Sequence, residues 1–123
     1  MRVGALVGAV IAAWTLGAGT ATGAPSRPPG RVQVVEKEFS ITLSRLRVHG
    51  GAVIVEVDNF GMDDHDLVVQ QAGATTTSWR SPQLAPGHRV SKRLVLVPGR
   101  YTLYCSLPGH RALGMIATLE VVR

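Results

Sequence analysis

Apolar and polar residues alternate in short runs along most of this chain, and glycine or proline cuts the runs. "GGAVIVEVDNFG" puts Val53, Val55 and Val57 on one side of an extended strand, with Ala52, Ile54 and Glu56 on the other. "RVQVVEKEFSITL" carries a similar alternation, and "DLVVQ", "HRVSKRLVLV", "RYTLYC" and "MIATLEVV" read as further strands. "TTTSW" reads as an edge strand, and Pro98-Gly99 as a turn. No long stripe of helical period is present, although Gln71–Ala85 leaves room for a helical turn. Six to eight short strands at this spacing predict an all-β fold, a Greek-key β-sandwich.

The parity of the last two strands places side chains. Tyr101, Leu103 and Cys105 share a face, and so do Met115, Ala117, Leu119 and Val121. Both faces are apolar, so Cys105 should point inward where its strand ends and Met115 inward where the next begins. His110 lies on the loop between them. That loop, "YCSLPGHRALGM", therefore brings sulfur, nitrogen and sulfur toward one end of the sandwich.

The N-terminus departs from this pattern. Met1–Arg2–Val3 is a short basic start, Gly4–Leu16 is uncharged and mostly apolar, and small residues follow to Ala24. This is the order of a secretory signal peptide, with a cut after Gly23 keeping small residues at both recognition positions. The competing reading is an uncleaved anchor, against which the Gly- and Ala-rich composition argues. The expected organisation is a signal peptide at 1–24, a linker at 25–30 and one domain at 31–123, in a periplasmic or otherwise extracytoplasmic protein. A membrane association is expected only if the leader is retained.

The whole chain carries 13 basic and 8 acidic residues, net +5, and its arginines are dispersed. This is not the basic patch with interleaved aromatics of a nucleic-acid binder. It gives a mildly positive surface that favours acidic partners during encounter.

The single cysteine cannot form an internal disulfide, and a free thiol is a liability in an oxidising compartment. A ligand role gives it a reason to be there. A second histidine would have to join Cys105, His110 and Met115. His49 and His88 sit in turns, whereas His65 immediately precedes an apolar strand, so His65 has the rigid support a ligand needs. One thiolate, two imidazoles and a weak thioether suit copper at an electron-transfer site. Zinc sites favour paired cysteines and do not normally use thioethers. A cysteine-protease reading fails because no helix N-terminus activates the thiol.

"YCSLPGHRALGM", preceded by "VPGRYTLY" and followed by "IATLEVV", resembles the C-terminal end of the cupredoxins, the small blue copper proteins of plastocyanin/azurin type. Its Cys-x-x-Pro-Gly-His portion is similar to the azurin and auracyanin members, and its His110-to-Met115 gap is one residue longer than in azurins. "VDNFGMDDHDLVV" resembles the upstream ligand segment. The resemblance implies a Greek-key sandwich, one mononuclear type 1 copper, the ligands His65, Cys105, His110 and Met115, and transfer of single electrons. Asp66 departs from the asparagine often found after the first histidine. A dinuclear copper centre would need two cysteines, and copper oxidases need further domains, so a carrier and not an enzyme is expected. Leu107, Pro108, Ala112 and Leu113, with Gly61 and Met62 near, are expected to form an apolar patch where a redox protein, acidic in character, docks near His110. The chain is expected to act as a monomer. A copper chaperone or storage protein using the same ligands is the alternative.

Overall fold

The computed structural model describes residues 26–123, together with the isolated glycines Gly4, Gly19 and Gly23. The expected signal peptide at 1–24 otherwise lies outside the described residues. No helix among the described residues is long and apolar enough to cross a membrane.

Among the described residues, nine strands form two sheets. They are β1 (Gly30–Lys37), β2 (Ser40–Leu43), β3 (Arg47–His49), β4 (Gly51–Asn59), β5 (Val68–Gln71), β6 (Trp79–Arg80), β7 (Arg89–Leu96), β8 (Gly99–Tyr104) and β9 (Ile116–Val122). One sheet runs β2-β1-β4-β7 and the other β3-β9-β8-β5-β6. β1 pairs parallel with β4, and β3 parallel with β9; the remaining pairs are antiparallel. The all-β sandwich expected from the alternation is present, with more strands than the six to eight counted. The stretch "RVQVVEKEFSITL" is two strands, because the chain turns at Glu38–Phe39 and pairs back on itself from Lys37↔Ser40 to Val34↔Leu43. The helical turn allowed for at Gln71–Ala85 is absent; that segment holds part of β5 and the edge strand β6. The helical turn among the described residues is instead α1 (His110–Leu113), inside the loop after β8.

The expected parity holds. Val53, Val55 and Val57 are completely buried, as are Leu103, Cys105, Met115 and Leu119. The two inner faces interleave in one core, with Val32 and Val34 of β1 and Leu94 and Leu96 of β7 on one side. Leu67, Val69, Tyr101, Leu119 and Val121 fill the other. Tyr101 keeps its ring inside and donates its hydroxyl to the Val97 carbonyl at 2.9 Å, which satisfies its polar end. Each fully buried Val or Leu contributes roughly 1.5–3 kcal/mol of transfer free energy. This packed sandwich is the rigid support for three segments gathered at one end: the β1–β2 turn, the loop after β4, and the loop after β8.

Candidate metal centre

Three donor atoms converge at that end. The nearest ligand atoms of His65, Cys105 and His110 all lie within 4.8 Å of one another. The two Nδ1 atoms are 3.2 Å apart, and Cys105 Sγ is 3.6 Å from His110 Nδ1. His65 and Cys105 are wholly buried and His110 is half-buried.

Local structure explains each placement. His65 forms a bridge with Leu84: its N–H donates to the Leu84 carbonyl at 3.0 Å, and its carbonyl accepts from the Leu84 N–H at 2.7 Å. The loop before it is shaped by buried Asn59, whose side chain accepts from the Gly61 N–H and donates to the Asp63 and Leu84 carbonyls. Cys105 follows the last residue of β8, and its N–H donates to the Met115 carbonyl at 3.2 Å. Between these two the chain makes α1, entered through Gly109 (φ +79°) and left through Gly114 (φ +127°), conformations that suit glycine. The Met115 N–H donates to the His110 carbonyl at 3.1 Å, so this buried methionine is tied by its backbone to both other residues of the loop. His49 and His88 are exposed and stand apart from the cluster; His49 Nδ1 contacts the Arg123 carbonyl.

The two ligand-bearing loops are stitched together by Asp66. Its carboxylate accepts from the Ser106 N–H at 2.6 Å and from the Ser106 hydroxyl, and Arg80 reaches it at 3.4 Å. The Asp66 N–H points at Cys105 Sγ, 3.5 Å away. Burial pushes the Cys105 thiol up, against the opposing pull of the Asp66 and Leu107 N–H groups. Binding of a metal there would displace the thiol proton.

Two neighbours were not visible as site residues in the sequence. Glu38, in the β1–β2 turn, lies 2.9 Å from His65 Nε2. Phe39 stands edge-on to the His110 ring, with centroids 5.1 Å apart. Neither belongs to a motif, and both arrive from a turn distant in sequence. Glu36, on the inward face of β1, is buried with both carboxylate oxygens unpartnered. A carboxyl group in that position is driven toward its neutral form, and its pKa is raised to about 8, first by burial and then by the Asp66 charge.

The donor set fits copper. A thiol and two imidazoles within one small volume, on a loop that also carries the buried Met115, is a soft-plus-borderline combination that copper favours. A family model described as copper binding proteins, plastocyanin/azurin family, matches residues 30–122. No curated protein sequence matches the chain. Among solved structures, the sodium-dithionite-reduced auracyanin of Roseiflexus castenholzii is 17% identical, with 76% of this chain and 97% of that one covered and a TM-score of 0.65. An azurin (Az-iso2) of Methylomonas sp. strain J is 15% identical, with 76% and 98% covered and a TM-score of 0.60. A multicopper oxidase is 17% identical, with 78% of this chain but 46% of that one covered and a TM-score of 0.58. At these identities the structures establish a shared fold.

Proposed function

The chain belongs to the plastocyanin/azurin family of copper-binding proteins, and from that premise we propose that it is an exported type 1 blue copper protein that carries single electrons between redox partners. Copper is the cofactor, and the cluster of His65, Cys105 and His110 is compatible with one type 1 ion. His65 Nδ1, His110 Nδ1 and Cys105 Sγ would hold the metal, with Met115 as the weak fourth ligand. When bound, copper supplies a one-electron couple between Cu(II) and Cu(I). The chain supplies a rigid, mostly buried frame, so that little has to move when charge changes. The single observation that carries this reading is the convergence of one thiol and two imidazoles within 4.8 Å from two separate loops.

His110 is the electron's route to the surface. It is the half-buried member of the cluster, and exposed apolar side chains lie on the segments that carry the site, Leu113 on α1 at 61% and Met62 in the loop after β4 at 84%. An open groove of about 600 Å³, lined in part by Leu107, Pro108, Ala112 and Ile116, runs beside Cys105. Such clustered exposed apolar residues suit a docking surface. Arg111, stacked over the Tyr104 ring at 4.1 Å, adds positive charge at its edge and favours an acidic redox protein. The apolar leader read in the sequence supports export to the periplasm or beyond, and a monomer suits a surface kept free for transient partners. The reading is of a carrier without catalysis of its own, and the single cysteine, too few for a dinuclear copper centre, supports it.

The test is addition of Cu(II) to the copper-free protein. An intense blue thiolate-to-copper band that is absent in Cys105→Ser and bleaches reversibly with a reductant supports the electron carrier. Colourless copper that a chelator strips at once sinks it and favours a copper chaperone.

A further inference from the structure

Glu38 occupies the most constrained position around the centre without being a candidate ligand. It lies in the turn between β1 and β2. One of its oxygens, Oε1, meets three groups: the His65 ring at Nε2, 2.9 Å away, and the N–H groups of Met62 and Asp63, each at 2.8 Å. Gly61 is wrapped around this carboxylate so closely that a Cβ there would overlap Oε1 and would come 2.9 Å from His65 Nε2. The following residue, Phe39, contacts the other imidazole edge-on, and its carbonyl oxygen would lie 2.8 Å from a Cβ on Gly114. One turn therefore braces both histidines.

The chemistry of the contact is directional. An ionised carboxylate only accepts hydrogen bonds, so the nitrogen facing it carries the proton. That leaves His65 Nδ1 with its lone pair free, and Nδ1 is the atom 3.2 Å from His110 Nδ1. The Met62 and Asp63 N–H groups both donate to that oxygen, and a carboxylate so placed is an anion at neutral pH. Metal-binding histidines commonly give their other N–H to such a partner, which fixes the tautomer and raises the basicity of the ligating nitrogen. A more basic imidazole with negative charge behind it favours Cu(II) over Cu(I).

We propose that Glu38 is the positioning residue of the centre, fixing His65 as its Nε2–H tautomer and holding the copper potential down through the charge behind that ring. The potential arm rests on the copper reading above; the tautomer arm does not. Three proteins separate the roles: the wild type, Glu38→Gln, which keeps an acceptor but removes the charge, and Glu38→Ala, which removes both. In the copper-free proteins, nitrogen chemical shifts of the His65 ring report the tautomer. The expected result is one Nε2–H form in the wild type and a mixture in Glu38→Ala. An unchanged single form in Glu38→Ala overturns the proposal. In the copper-loaded proteins, Glu38→Gln should retain the blue band and shift the preference toward Cu(I) about tenfold, read as a rise in midpoint potential of about 59 mV. An unchanged or lower potential with the band intact also overturns it. If the wild type shows no blue band, the copper reading fails, and the tautomer measurement still decides the assignment of Glu38.

Discussion

The Nδ1 atoms of His65 and His110 stand 3.2 Å apart although 45 residues separate them in the chain. Two imidazole nitrogens at that distance share one proton at most, as donor and acceptor, or face a common cation. In the tautomer proposed for His65, with Nε2–H donating to Glu38, the donor between the two rings is His110. A metal that takes both Nδ1 lone pairs removes that shared proton and joins the β4–β5 side of the site to the β8–β9 side.

Copper should therefore stabilise the fold as well as occupy it. A ligand that binds only the folded state contributes about 2.7 kcal/mol at 100 times its dissociation constant. For a domain of this size each kcal/mol moves Tm by about 4–8 °C. Thermal unfolding followed by circular dichroism should show copper raising Tm by about 10–20 °C in the wild type. Cys105→Ser should show a much smaller rise.

The charge at Asp66 should be legible in the potential. Its carboxylate holds Ser106 through two hydrogen bonds, next to the cysteine, and Arg80 offsets part of its charge from 3.4 Å. Asp66→Asn keeps an acceptor for the Ser106 N–H and removes the negative charge, so Cu(II) loses support and the potential rises. Arg80→Ala exposes the same charge, and the potential falls. Redox titration of the blue band would measure both; shifts of the same sign in the two variants would refute the account.

The sandwich and the meeting of Cys105 and His110 at one end of it are legible in the sequence because strand alternation and the loop "YCSLPGHRALGM" are local patterns. Cys105 and Met115 were placed by parity alone, and both are wholly buried. The rigid support that the sequence predicts for His65 comes from its two backbone bonds to Leu84. What was missed is what pairs at a distance. Glu38 reaches His65 across 27 residues of sequence, and Arg80 reaches Asp66 from β6; neither spacing is a motif. The β1–β2 turn was hidden because the alternation continues through it, and only pairing shows where the strand ends. Gln71–Ala85 offered few apolar residues of either period, so its sequence did not choose between a helical turn and a short edge strand.

Leu113 should matter to partners and not to the metal. It is 61% exposed on α1, three residues beyond His110, and it contributes nothing to the core cluster. Leu113→Asp places a charge on the proposed docking surface. Stopped-flow electron exchange with an acidic redox protein should slow severalfold while the absorption spectrum and Tm stay as in the wild type. Unchanged kinetics would remove the patch from the proposed route.

Glu36 should make the copper-free protein lose stability as pH rises. It is fully buried, neither carboxylate oxygen has a hydrogen-bond partner, and its pKa is raised from 4.5 to about 8. The folded state thus binds this proton more tightly than the unfolded chain does. The contribution of the neutral acid is complete below about pH 4.5, declines through the interval from 4.5 to 8, and is gone above it, where folding must bury the anion. The full span is on the order of 5 kcal/mol. Groups such as Glu38, with a pKa lowered to about 2, act in the opposite direction and only in acid. Glu36→Gln cannot ionise, so its stability should be flatter across this interval. Urea unfolding at pH 5 and pH 9 compares the two, and parallel loss in the wild type and Glu36→Gln would show that the slope has another source.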